Sequence, residues 1–184
     1  MTILTVFETD DSGAPARRQW ATSTLAEINR ELDRVDVELE RWRASSDLLP
    51  GADQEDVLAA YRSHVDRLMI RGGYRAADVV RMDPNHPERE SLRTKFLAEH
   101  THADDEVRFF VEGAAAFYLR KGTLVLKVVA ARGDLLRLPA GLRHWFDMGP
   151  DPYFAAIRIF KSAEGWVANF TDDTIAERVP LYLP

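Results

Sequence analysis

From Lys95 onward the chain is cut into short runs of branched aliphatic and aromatic residues, and this pattern restricts the fold more than any other feature. The runs cover 107–112, 116–119, 124–129, 134–138, 144–146 and 153–160. Turn-forming stretches separate them: Arg120-Lys121-Gly122, Ala131-Arg132-Gly133, Pro139-Ala140-Gly141 and Gly149-Pro150-Asp151-Pro152. Glycine supplies the positive φ such turns need, and proline fixes its own φ. No helix-length pattern lies between the runs, so antiparallel pairing is expected rather than a parallel sheet with crossover helices. The predicted form is mainly β: a small antiparallel barrel or jelly roll whose interior can hold a chemical group away from bulk water.

The first half reads differently. Residues 3–7 suit a short strand, followed by a loop through Asp10-Asp11-Ser12-Gly13 that ends near Trp20. At Thr24 a capping box, Thr24-x-x-Glu27, opens a stripe of Leu25, Ile28, Leu32, Val35, Leu39 and Trp42 at spacings of three and four, which predicts one helix as far as Trp42. A second helix is predicted from Asp53, turning Val57, Leu58, Tyr61, Val65 and Leu68 inward and stopping at Gly72-Gly73. Residues 74–82 fit a short helix or an extended segment equally, 83–87 form a turn, and a short helix is expected around 172–178. The chain is thus expected to be one domain, 1–184, with a helical cover over about 20–82 packed outside a barrel core over about 92–162.

Chemistry concentrates in the stretch from Glu99 to Arg108. In a strand, residues two apart share a face, so Phe96, Ala98, His100 and His102 would point together. The turn Ala103-Asp104-Asp105 would then bring Glu106 back, with Arg108 and Phe110 on its face, and His144 follows the Pro139-x-Gly141 turn as a fourth ligand. Three neutral imidazoles and a carboxylate suit iron, nickel, manganese or copper better than magnesium or calcium, which take oxygen shells. His-x-His alone commonly arises by accident. Here, however, three of only five histidines fall in the pattern. His64, in a helical stretch, and His86, in a Pro-Asn-His-Pro turn, read as structural or solvated. By alternation, Phe96, Phe146, Arg108 and Arg158 would line the cavity. The plainer reading makes Arg108 an ion-pair partner of Glu99, Asp104 or Asp105, and Phe96, Phe146 and Trp166 ordinary core. Glu99 alternates away from His100, as a partner of a ligand or an exposed group.

His100-x-His102-x-x-x-Glu106 with Gly113 resembles the first cupin motif, and Gly133, Pro139-x-Gly141-x-x-His144 resembles the second. Thr94 and Met148 depart from it, where glycine and asparagine are usual. The longer string EHTHADDEVRFFVEGAAAFYL, Glu99 to Leu119, resembles the acireductone dioxygenase family of the cupin superfamily. That resemblance implies one Fe2+ or Ni2+ held by His100, His102, Glu106 and His144. It also implies an acireductone substrate, 1,2-dihydroxy-3-keto-5-methylthiopentene of methionine salvage, split with O2. The iron form would yield formate and 4-methylthio-2-oxobutanoate, and the nickel form carbon monoxide, formate and 3-methylthiopropanoate. Arg108 and Arg158 would offset the substrate's negative charge, with Phe96, Phe146 and Trp166 around its methylthio tail. Another metal cupin acting on a small anion, or a cupin that only binds a ligand, are the competing readings.

Composition excludes other classes. A formal charge of −6 offers no general attraction to phosphate backbones, so no nucleic-acid partner is expected. With no cysteine there is no disulfide framework, thiolate nucleophile or cysteine zinc site. The first twenty residues include Glu8, Asp10 and Asp11, and no run is long enough to span a bilayer. A cytoplasmic monomer without a membrane partner is expected.

Overall fold

A computed structural model describes residues 1–10, 12–44, 48–49, 51–162 and 167–183. The first half holds β1 (Ile3–Glu8), β2 (Arg17–Thr22), α1 (Leu25–Leu32), β3 (Glu38–Arg41), α2 (Gln54–Ala60), α3 (Arg62–Gly72), β4 (Ala76–Met82) and α4 (Arg89–Phe96). Then come β5 (His100–Thr101), β6 (Glu106–Lys121), β7 (Leu124–Ala131), β8 (Asp134–Leu138), β9 (Arg143–Asp147), β10 (Tyr153–Phe160) and β11 (Asn169–Phe170), followed by a 3-10 turn, Thr174–Arg178. Every ladder among the described residues is antiparallel.

The spine is β6, which joins the two runs predicted at 107–112 and 116–119 into one strand of 16 residues. Its first half lies between β8 and β10, and its second between β7 and β9. The first half extends to β3 beyond β8 and to β4 beyond β10; the second extends through β7 and β1 to β2, and through β9 and β5 to β11. Among the described residues the ladders do not close into a ring, so the mainly β, antiparallel, cupin-type fold is present with an open sheet.

At the junction of the two halves the pairing slips: Ala155 faces Glu112 but Ala156 faces Phe110, leaving Val111 as the extra residue of a bulge. Such a residue reverses which side chains face each way. Before it, Phe110 points into the central core with Phe146 and Phe154, while Val107, Phe109 and Val111 meet Val57 of α2, Val65 of α3 and Tyr61 between them. After it, Ala115, Phe117 and Leu119 face the central core, and Ala116 and Tyr118 meet Trp145, Ile175, Val179 and Tyr182. Both faces of β6 are therefore covered, which is why its sequence runs apolar almost continuously instead of alternating.

The helix predicted from Thr24 to Trp42 ends early. Asp36 takes a left-handed conformation, φ 59°, and the amide of Val37 donates to the carbonyl of Leu32 at 3.1 Å, closing the last turn. Val35 and Leu39 are still buried, but Leu39 sits in β3, paired with Leu136 of β8; stripe spacing alone did not separate these outcomes. The cap is also displaced: the Thr22 hydroxyl bonds Glu27 and accepts from the amide of Thr24 at 3.0 Å, whereas the Thr24 side chain makes no cap bond. The 20–82 stretch is consequently not all helix, since β3 and β4 within it join the sheet. The single helix predicted from Asp53 to Gly72-Gly73 is two, α2 and α3, divided at Tyr61; Asp53 caps the first, accepting from the amide of Asp56 at 2.9 Å, and Gly73 ends the second with φ 67°.

Candidate metal centre

The cluster forms where β5, β9 and the start of β6 meet. His100 pairs across the ladder with His144, and His144 with Leu119 of β6. His102 lies just past β5, tied down where its carbonyl accepts from the amide of Gly141 at 2.9 Å. The three rings stand 4.5 to 5.1 Å apart between centroids, and one nitrogen of each can be chosen so that all three lie within 4.8 Å of one another. All are buried, as is Glu106.

Hydrogen bonds at the far side of each ring fix what faces the centre. The Nδ1 atoms of His100, His102 and His144 lie 2.8, 2.9 and 2.8 Å from the carbonyls of Ala98, Val167 and Leu142. A carbonyl only accepts, so each Nδ1 carries the hydrogen and each neutral ring presents a bare Nε2. Yet Glu106 Oε2 lies 3.2 Å from Nε2 of His102 and 3.0 Å from Nε2 of His144. Lone pairs facing one another at that distance repel unless a positive charge lies among them. A proton or a divalent cation meets that need, and this donor set fits a borderline metal ion.

The charges follow the same logic. Burial disfavours the carboxylate of Glu106, but the Arg108 guanidinium and the His102 and His144 imidazoles outweigh it and hold the group well below its usual range. Burial, helped by His144, lowers His100 to about 4, whereas at His102 burial is overcome by the hydrogen bond and charge of Glu106, and its pKa is raised. In metal-free protein His102 is therefore expected to take a proton first as pH falls, and His100 only near pH 4. Imidazole NMR titration checks this; His100 protonating first would contradict the geometry. Because His100 is depressed, its stabilisation of the metal-free fold is full above pH 6.5 and is lost as pH falls toward 4; that of His102 is full below 6.5 and fades as pH rises through its raised value.

A cavity of about 280 Å³ opens over the cluster, with Phe96, Phe146, Arg108 and Arg158 in its wall. Phe96 reaches it from the end of α4, not from a strand continuous with His100, since β5 is only two residues long. It meets Phe146 edge to face at 6.2 Å. Arg108 pairs with Glu106, Nε to Oε1 at 2.8 Å, rather than with Glu99, Asp104 or Asp105, and lies over the Phe146 ring at 4.6 Å. Arg158 is clamped by Asp78 of β4 at 2.7 and 2.5 Å. Trp166 lies outside the described residues. Glu99 is buried beneath the site, bonded by Arg120 at 3.1 Å and the Thr171 hydroxyl at 2.8 Å. His64 packs on Trp42 at 5.2 Å, and His86 Nδ1 accepts from the amide of Glu88 at 3.2 Å, so both serve structure.

Leu92, Lys95, Ala168 and Phe170 also line the cavity, and none was singled out from the sequence. The spacing of Leu92, Lys95 and Phe96 marks one helical face once 89–96 is read as a helix. Nothing local predicts Asp78 or Phe170, because both arrive through strand pairing. A separate cleft beside Leu68, Tyr74 and Arg137 contains no histidine.

A bent antiparallel sheet that gathers three imidazoles and a carboxylate at one end of its interior defines a protein of the cupin class. Among known proteins, a model of the ARD/ARD' family matches residues 5–168. An acireductone dioxygenase of Parvibaculum lavamentivorans is 55% identical over 182 residues, covering 99% of this chain and 97% of that one. That of Citrobacter koseri is 46% identical over 183 residues, covering all of both chains. A solved acireductone dioxygenase from Bacillus anthracis, with a cadmium ion in its active center, superposes with a TM-score of 0.78 at 27% identity, over 92% of this chain and 98% of that one. The chain belongs to the ARD/ARD' family.

Proposed function

We propose that this protein is an acireductone dioxygenase, cleaving 1,2-dihydroxy-3-keto-5-methylthiopentene with O2, with His100, His102, Glu106 and His144 holding one Fe2+ or Ni2+. The observation that carries the reading is the convergence of bare imidazole nitrogens on one carboxylate oxygen beneath the cavity. When bound there, the ion supplies Lewis acidity and open positions for the oxygens of an enediolate.

The chain's own residues do the rest. The carbonyls of Ala98, Val167 and Leu142 hold the imidazole tautomers, and Arg108 keeps Glu106 ionised. Phe96 and Phe146 form an apolar wall that excludes water and receives the methylthio tail. Arg108 and Arg158 add positive charge toward the substrate. Glu106 is the one carboxylate in the cavity wall among the described residues, and its lowered pKa suits a ligand rather than a proton acceptor. No helix among the described residues is long and apolar enough to cross a membrane; a cytoplasmic monomer acting on small molecules fits this reading.

Loading metal-free protein separately with iron(II) and nickel(II), then supplying acireductone and O2, tests the assignment. Iron protein is expected to give formate and 4-methylthio-2-oxobutanoate, and nickel protein carbon monoxide, formate and 3-methylthiopropanoate. Oxygen uptake no faster than the background reaction, in folded and metal-bound protein, would overturn it.

A further inference from the structure

The cavity wall carries three cationic side chains, Lys95, Arg108 and Arg158, and they are not equivalent. Arg108 lies against Glu106 at 2.8 Å, and Arg158 is held by both oxygens of Asp78. Their charges are largely matched by protein carboxylates before any ligand arrives. Lys95 differs: its ammonium takes part in no ion pair or side-chain hydrogen bond with the described residues, and it stands exposed at the rim.

Its direction is set by the helix that carries it. On α4, Arg93 is drawn to the fully buried Asp147, with Nε and Nη2 at 2.8 and 3.2 Å from the two carboxylate oxygens. That anchor fixes the rotation of α4, and Leu92, Lys95 and Phe96, three and four residues apart, then share the face turned to the cavity. Leu92 and Phe96 also pack against the central core. A hydrated ammonium on a flexible stem is thus mounted beside an apolar wall, at the mouth of a site whose fixed cations are already engaged.

We propose that Lys95 is a substrate-binding residue, the cation that reads the negative charge of the incoming small oxyanion at the cavity mouth. The proposal rests on the dioxygenase reading for the identity of that anion. A charge at the rim acts on encounter and ground-state binding, so its loss is expected in KM more than in kcat.

The test compares iron-loaded wild-type protein with Lys95→Met, Lys95→Arg and Lys95→Glu. Metal content and thermal stability are expected to be unchanged, because the ammonium has no structural partner among the described residues. Lys95→Met is expected to raise KM for acireductone by about 3- to 5-fold with kcat within about 2-fold, and Lys95→Glu to raise it further. Lys95→Arg is expected to stay near wild type. Between about 0.05 and 0.3 M salt the wild-type KM should rise, and that slope should flatten in Lys95→Met. Calorimetry with oxalate, a bidentate dianion, on the same holoproteins gives a second readout: weaker binding to Lys95→Met is expected. If the wild type turns over acireductone and Lys95→Met keeps its KM and salt slope, the Lys95 proposal falls and the enzyme assignment stands. If the wild type does not turn over, the assignment falls, and oxalate decides separately: equal affinity for both proteins overturns the role of Lys95, and weaker binding to Lys95→Met upholds it as an anion reader.

Discussion

Replacing His100 by Ala and Glu106 by Gln together is expected to strip the protein of its bound divalent ion and to lower acireductone-dependent oxygen uptake by more than about 100-fold. Changing even an outer partner of a metal ligand costs on the order of 10- to 100-fold, and here two of four proposed ligands go at once. Glutamine keeps the shape of Glu106 but not its charge, and Arg108, buried against it at 2.8 Å, then lacks its neutraliser. Breaking one partner of a buried pair costs about 3–5 kcal/mol, so a single His100→Ala variant is needed beside the double one. It leaves the Glu106–Arg108 pair intact, and on its own is expected to weaken metal binding while the fold persists. Metal analysis after dialysis, with circular dichroism as the folding control, reads both. Full metal content in the folded double variant would count against this ligand set.

The largest effect on stability from one added methyl group is expected at Gly113. Its φ is +58°, and a Cβ built there would lie 1.8 Å from the carbonyl oxygen of Tyr153 and 2.7 Å from its carbon. The first atom to yield is β10 backbone, which is held on its other edge by β4, so the clash cannot be relieved by a side-chain rotation. Left-handed backbone alone costs an alanine about 1–2 kcal/mol; with displacement of β10 the total is expected to exceed about 3 kcal/mol, lowering Tm by roughly 6–12 °C for a chain of this size. Gly141→Ala is the control. Gly141 also has positive φ, +77°, but nothing lies within 4 Å of its absent Cβ, so only the backbone cost applies. Equal Tm losses in the two variants would show that the close approach at Gly113 does not matter.

Both predictions concern features with different visibility in the sequence. The spacing of the proposed ligands was legible because imidazoles and a carboxylate within seven residues, followed by Pro139-x-Gly141-x-x-His144, are local patterns. The strands from 107 to 160 were legible for the same reason: turn residues punctuate them. The bulge was not. The runs 107–112 and 116–119 read as two strands, and only the pairing of β10 with β6 shows one continuous strand whose faces reverse at Val111. The helix drawn from Thr24 to Trp42 failed because Val35 and Leu39 are buried in either conformation; pairing with β8 gave Leu39 a partner that no window of local sequence contains.

The sequence by itself determined the chemistry available: which donors exist, that no thiol competes with them, and that an antiparallel sheet would carry them. Tertiary structure decided how those donors are charged and aimed. The carbonyls of Ala98 and Leu142 lie two residues from the rings they orient, but that of Val167 is 65 residues from His102. Asp78 lies 80 residues from Arg158, and Phe96 faces Phe146 from a helix. Hydrogen bonds and ion pairs act over a few ångströms whatever the separation along the chain, so such partners exist only once the sheet has brought them together.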